Sequence, residues 1–202
     1  MKFTLTLFTF FFLSIGILLG NISCGINKKP TSSKAVIGNA KPHQTISPNK
    51  FDQALLEELI HEKVNEIRAK KRKSTLDTDV ILRKAATEQS RYVKVKRKLT
   101  HNQTNAEKRT VMDRVLYYKG SKFKSVGENL AYVGFTVEIQ GKKRKILYPT
   151  YEEMAEEIVW GWVKSKPHYK NMLRANYNHV GTSALYDVRK GGVYATQVFG
   201  QK

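Results

Sequence analysis

Apolar residues recur three and four positions apart in two long stretches beyond residue 50. In residues 51–70 they are Leu55, Leu56, Leu59, Ile60, Val64 and Ile67, and in residues 80–96 they are Leu82, Ala85, Ala86 and Val93. This spacing puts them on one face of a helix, with polar residues on the other face. It predicts two amphipathic helices over 51–70 and 80–96.

Three shorter helices are predicted further along the chain. One spans residues 110–118 and is stopped by Gly120. Another begins after Thr150, because Glu153 three residues later completes a capping box. Residues 165–173, which read SKPHYKNML, form a short amphipathic helix that opens near His168.

Two other stretches alternate between apolar and polar positions and predict hairpins. Residues 135–148 contain two alternating runs around a polar turn at 140–143. Residues 179–200 contain two more, joined around Lys190-Gly191-Gly192. Helices and antiparallel hairpins in this order predict one layered α+β domain over residues 51–202.

The first 24 residues have the pattern of a bacterial secretory signal. Lys2 precedes an apolar run over residues 3–20, and the run ends shortly before Cys24, the only cysteine. Residues 21–24 resemble a lipobox, although Asn21 stands where leucine is usual. We predict a signal peptide over 1–23 and a lipidated Cys24. The alternatives are an unlipidated cysteine, or an uncleaved helix of near-spanning length.

Residues 24–50 are rich in Lys, Ser, Pro, Asn and Gly, so we predict a flexible basic linker between lipid and domain. The chain has 36 basic and 17 acidic residues, a net charge of +19, which attracts anions. Basic clusters at 68–73, 94–98 and 142–145 favour an anionic envelope lipid or polymer as partner. Nucleic acid is not a predicted partner, because a secreted, tethered protein rarely meets it. The expected location is extracytoplasmic, periplasmic or at the cell surface.

Polar residues that could carry chemistry stand where predicted elements end. They are His101 in Leu-Thr-His, Glu128 in Gly-Glu-Asn and His168 after Pro167. Two imidazoles and a carboxylate can bind a divalent cation or transfer protons. The spacing between them matches no local metal motif, so the residues alone favour hydrogen-bonded surface or capping roles for the histidines.

Five sequence motifs, found in a fixed order along the chain, change which of these roles is favoured. They are Leu-Thr-His, Gly-Glu-Asn-Leu-Ala, the run from Trp162 to Leu173, His-Val-Gly-Thr-Ser-Ala-Leu and Tyr-Ala-Thr-Gln-Val-Phe-Gly. In this order the chain resembles the CAP superfamily, or SCP domain, of cysteine-rich secretory, antigen 5 and pathogenesis-related proteins. It is most similar to the short bacterial branch, over nearly the whole of residues 51–202.

The resemblance implies an α-β-α sandwich with a shallow cleft that two histidines and two glutamates line in many members. His101, Glu128 and His168 match three of these positions, and Ser165 stands at the fourth. The resemblance therefore implies a cleft of His101, Glu128 and His168. It leaves open a divalent cation such as zinc on His101 and His168, with no cofactor required.

Three functions follow from this reading. The first is a tethered module that binds a ligand or the envelope through its cleft. The second is a peptidase-like hydrolase acting on envelope or extracellular polymers, with Glu128 as general base and the histidines as metal ligands or orienting groups. The third is adhesion through the basic surface alone. Ser165 and the lack of an activated nucleophile motif favour binding over catalysis.

The lipoprotein hypothesis predicts that Cys24 carries the fatty acid. Cells grown with radiolabelled palmitate should label the wild-type protein and leave the Cys24→Ala variant unlabelled, because the thiol is the acylated group. Equal label in the two proteins would contradict lipidation of Cys24.

Overall fold

The computed structural model describes residues 41–140 and 143–202. The predicted signal peptide, Cys24 and most of the predicted linker lie outside these residues. Among the described residues, no helix is long and apolar enough to cross a membrane.

Five α-helices and six strands are present among the described residues of the domain. The helices are α1 (Gln53–Lys70), α2 (Val80–Lys96), α3 (Val111–Tyr117), α4 (Tyr151–Lys164) and α5 (Lys166–Leu173). The strands are β1 (Asp77–Thr78), β2 (Ser125–Gly134), β3 (Thr136–Gln140), β4 (Lys143–Leu147), β5 (His179–Asp187) and β6 (Gly192–Gln201). The five predicted helices and both predicted hairpins are present.

Four strands form the central sheet in the order β1-β5-β6-β2. The hairpin β5–β6 is antiparallel, β2 pairs antiparallel with β6, and the two-residue β1 pairs parallel with β5. β2 is therefore an edge strand. The sequence patterns did not predict it, because Glu128, Asn129 and Leu130 are all buried and do not alternate with exposed positions.

Strand β6 shows how the layers are arranged. Val193, Ala195 and Phe199 join one apolar cluster with α1, α4 and α5. The alternate residue Val198 packs with α2 and α3, and Thr196 accepts a hydrogen bond from Ser90 on α2 at 2.7 Å. Because successive strand residues face opposite sides, helices cover both faces. The predicted α-β-α sandwich is confirmed.

Local capping fixes where the helices begin. The Asp79 carboxylate accepts from the backbone N–H groups of Ile81 and Leu82 at 2.8 and 3.0 Å at the start of α2. Thr150 and Glu153 form the predicted capping box at the start of α4. These side chains satisfy backbone donors that have no partner within the helix.

The structure differs from the prediction at the end of the linker. Residues 41–50 pack on the domain: Ile46 is 1% exposed, and its N–H donates to the Pro149 carbonyl at 2.8 Å. Thr45 also forms an isolated bridge with Thr150. A single isoleucine in a polar stretch gives no periodic signal. The burial of Ile46 is therefore visible only in the folded domain.

Arg68 also departs from the predicted solvated basic cluster. Its side chain is fully buried at the end of α1. Its guanidinium donates to the carbonyls of Ser74 at 2.7 Å, Met172 at 2.6 Å and Tyr177 at 3.2 Å. Carbonyls at the end of a helix lack partners within it, so Arg68 ties the end of α5 to α1.

Replacing Arg68 with methionine should therefore destabilise the domain. The variant leaves buried carbonyls without donors, and we expect a loss of about 3 kcal/mol in the free energy of unfolding in urea. Lys70→Met, at an exposed position in the same helical turn, is the matched control and should change stability by less than about 0.5 kcal/mol. Equal losses in both variants would contradict the role given to Arg68.

Candidate functional site

The edge strand β2 carries the residues that organise the site. Glu128 and Asn129 are consecutive, so their side chains leave opposite faces of the strand. Glu128 reaches His101, in the loop after α2, and Arg114 on α3. Asn129 reaches α5, where its side-chain amide donates to the His168 carbonyl at 3.1 Å. Both histidine-bearing segments are thus held by adjacent positions of one strand.

Both oxygens of the Glu128 carboxylate have partners. Its Oε1 lies 2.9 Å from His101 Nδ1, and its Oε2 accepts from Arg114 Nη2 at 2.5 Å. The side chains of Glu128 and Arg114 are 2% and 0% exposed. An ionised carboxylate only accepts hydrogen bonds, so His101 Nδ1 carries the proton in this pair. The other ring nitrogen, Nε2, is not engaged by Glu128.

Arg114 also holds the loop that carries His101. Its Nη1 donates to the carbonyls of His101, Lys108 and Arg109 at 3.2, 3.1 and 3.2 Å. The buried Gln89 side chain donates to the carbonyl of Thr100, one residue before His101. Sequence reasoning missed Arg114, because one more arginine in a basic chain gives no signal of burial.

His168 lies in the first turn of α5, directly after Pro167. Burial, followed by the nearby charge of His101, lowers the pKa of His168 from its ordinary value. The two imidazoles are therefore close enough for the charge on one to disfavour the charge on the other. The His101 side chain is the more open of the two, with 57% of its surface exposed.

Two further contacts lock α5 against β2. Asn171 donates to the Glu128 carbonyl at 3.2 Å and to Asn129 Oδ1 at 3.0 Å. A Cβ atom at Gly127 would lie 2.6 Å from the Tyr177 hydroxyl oxygen. In the Gly-Glu-Asn motif, Gly127 allows close packing against Tyr177, Glu128 supplies the carboxylate, and Asn129 contacts α5.

The predicted cleft residues occupy different places in this arrangement. His101 and Glu128 are in direct contact, whereas His168 is held through its backbone and interacts with His101 electrostatically. Ser165 stands at the junction of α4 and α5 and makes no side-chain capping hydrogen bond there.

The residues do not fit a three-ligand metal site. Glu128 is nearly inaccessible and both of its oxygens are engaged. In the described part of the chain, no group of three or more His, Cys, Asp or Glu side chains is arranged to hold a metal ion. Catalytic zinc sites generally use three protein ligands, and only the two imidazoles remain here.

Two grooves lie elsewhere on the domain. One of about 630 Å³ runs between α1 and α4, beside Trp160. Another of about 800 Å³ lies between α4 and the base of the β3–β4 hairpin, beside Tyr148. Neither is lined by His101, Glu128 or His168, so the histidine site is separate from both.

Sequence comparison finds a bacterial relative for most of the chain. The uncharacterised protein YkwD of Bacillus subtilis is 28% identical over 171 residues, which cover 85% of this chain and 57% of the relative. The chain thus spans little more than half the length of this relative.

Structural comparison finds the same fold in bacterial surface and extracellular proteins. An SCP-domain extracellular protein from Bacillus anthracis has a TM-score of 0.59 and 22% identity over 79% of this chain and 45% of its own. An outer surface protein from Borrelia burgdorferi has a TM-score of 0.57 and 19% identity over 79% of this chain and 98% of its own. The model of the cysteine-rich secretory protein family, CAP, matches residues 61–199. The chain therefore belongs to the CAP family of cysteine-rich secretory proteins.

Proposed function

We propose that this protein is an extracytoplasmic, membrane-tethered CAP module whose cleft binds an acidic group of an envelope polymer or lipid through His101 and His168. The observation that carries the proposal is the double engagement of Glu128 by His101 and Arg114. The leader pattern ending at Cys24 supports the tethered location. The extracellular and outer-surface neighbours in the fold comparison are consistent with it.

Glu128 is suited to orient His101 rather than to accept a proton from a substrate. A general base needs an oxygen within hydrogen-bond reach of the proton it removes. Here one oxygen is taken by an imidazole and the other by a buried guanidinium. The geometry therefore does not support the predicted role of Glu128 as general base. It instead favours a fixed His101 ring with Nε2 available to a ligand.

An anion is the ligand chemistry that suits two neighbouring imidazoles on a basic protein. The charge of His101 disfavours the charged form of His168, and burial does the same. An acidic group bound between the rings would offset both effects, because an opposite charge stabilises each imidazolium. The net charge of +19 would also draw anions towards the site.

A hydrolase is the second candidate, and one observation favours it. The His101–Glu128 pair has the arrangement in which a carboxylate orients a histidine that acts as general base. In that case His101 Nε2, and not Glu128, would take the proton from water. The chain shows no activated nucleophile motif, and Ser165 replaces the second glutamate, so binding remains the preferred function.

Binding to a soluble polyanion tests the cleft. Affinity for glycerol-phosphate polymer, measured by calorimetry, should fall about tenfold in His101→Ala and in His168→Ala, because each removes one charge-assisted hydrogen bond. Affinity should also fall as the pH rises through the lowered pKa of His168, since that imidazole then loses its proton. A chelator should change nothing if no metal takes part.

His43→Ala is the matched control, because His43 is 86% exposed and pairs with Glu152 away from the cleft. Equal affinity in the wild type and the three variants would show that His101 and His168 do not bind the polymer. The basic surface would then be the binding site. A loss of affinity on adding chelator would instead restore the metal hypothesis.

The orienting role of Glu128 predicts strong coupling with Arg114. Arg114→Met leaves a buried carboxylate without its cation, and we expect it to lower the free energy of unfolding by about 3–5 kcal/mol. The double variant with Glu128→Leu should regain much of that loss, because no buried charge is then left unpaired. Strictly additive losses in urea unfolding would show that the two side chains do not act as a pair.

A further inference from the structure

The β3–β4 hairpin has little support from the rest of the domain. Among the residues that the structure describes, its two strands pair only with each other, from Thr136↔Leu147 to Gln140↔Lys143. At its base, Phe135 is 8% exposed and stacks on Tyr186 with 5.5 Å between ring centroids. Tyr148 meets the same Phe135 ring edge-on at 5.2 Å. The base is therefore anchored in aromatic packing, and the strands extend beyond it.

One face of this hairpin is aliphatic and open to solvent. Val137 lies opposite Ile146, and Ile139 is on the same face two residues along. Their exposed fractions are 41% for Val137, 45% for Ile146 and 67% for Ile139. Thr136 and Leu147, on the opposite face, line the groove beside α4. The aliphatic face therefore points away from the domain.

An exposed aliphatic face on a two-stranded hairpin is expected to bind a partner. A two-stranded hairpin is only marginally stable in water unless it packs against something. Three neighbouring aliphatic side chains left in water form the type of exposed apolar patch that marks an interaction site.

The charge of the hairpin indicates what kind of partner fits. Strand β4 begins Lys143-Arg144-Lys145, and Lys145 is exposed. Glu138 is the only acid in residues 135–148, and it lies opposite Lys145 on the other face of the hairpin. Aliphatic side chains combined with an excess of cations suit the interface of an anionic bilayer, where each basic residue adds attraction.

We propose that the face formed by Val137, Ile139 and Ile146 inserts into the headgroup region of an anionic membrane. This inference rests on the proposed tethering at Cys24. Lys41 lies 17 positions after Cys24 (41 − 24), and 17 residues reach at most about 60 Å. The domain thus stays near the bilayer, and the hairpin sets which side of the domain faces it.

A polarity-sensitive label tests the contact directly. Because Cys24 is the only cysteine, full-length Cys24→Ser with Ile139→Cys gives one site for an NBD label. On vesicles of phosphatidylglycerol and phosphatidylcholine we expect a blue-shifted emission that is several-fold stronger. Vesicles of phosphatidylcholine alone should give little change. Val188→Cys in the same background is the control: Val188 is similarly exposed, at 71%, and lies outside the hairpin. Its emission should not change.

Each other outcome overturns the proposal. If the chain sediments with anionic vesicles but the label at position 139 does not change, the hairpin stays in water. If the label shifts without vesicles and the shift grows with protein concentration, a second copy covers the face. Failure of the tethering hypothesis would be detected separately. In that case fatty-acid labelling would be the same in the wild type and in Cys24→Ala.

A second variant separates insertion from loss of the hairpin. Val137→Thr and Ile146→Thr, added to the labelled chain, keep β-branched residues in both strands but remove apolar surface. We expect the vesicle-induced intensity gain to fall at least about fivefold while the thermal melting curve is unchanged. An undiminished gain with intact folding would contradict insertion of the aliphatic face.

Discussion

The buried ion pair between Arg114 and Glu128 is the interaction on which the site depends. A charge removed from water is costly unless it is paired and its other hydrogen bonds are satisfied. Here the guanidinium pairs with the carboxylate and also donates to three carbonyls of the loop that carries His101. The remaining carboxylate oxygen orients the His101 ring. One electrostatic requirement therefore fixes both the loop and the imidazole.

The edge position of β2 explains how the two faces of the sandwich share one site. In an interior strand, neighbours on both sides would limit what approaches the ends of Glu128 and Asn129. At the edge, one residue holds the His101 loop and the next holds α5 through the carbonyl of His168. Side chains 67 positions apart (168 − 101) thus come close enough to interact electrostatically. The fold alone does not fix the function.

The basic residues that the structure describes include two physically different classes. Arg68 and Arg114 are fully buried and act as donors to carbonyl groups. Others, such as Lys145, are exposed and contribute to the field around the protein. Counting charges treats the two classes alike, although buried guanidinium groups stabilise the domain and only exposed ones can meet a partner.

The sequence by itself determined the elements whose signals are local. Helical spacing defined α1 and α2, the capping box of Thr150 and Glu153 placed α4, and alternation with a Gly-Gly turn defined β5–β6. The family motifs also singled out His101, Glu128 and His168. Only the tertiary structure decided that β2 is a strand, that Ile46 is buried and that both arginines lie inside. Capping and periodicity act between near neighbours in the chain, whereas the burial of a charge or a lone isoleucine depends on groups that only folding brings opposite it.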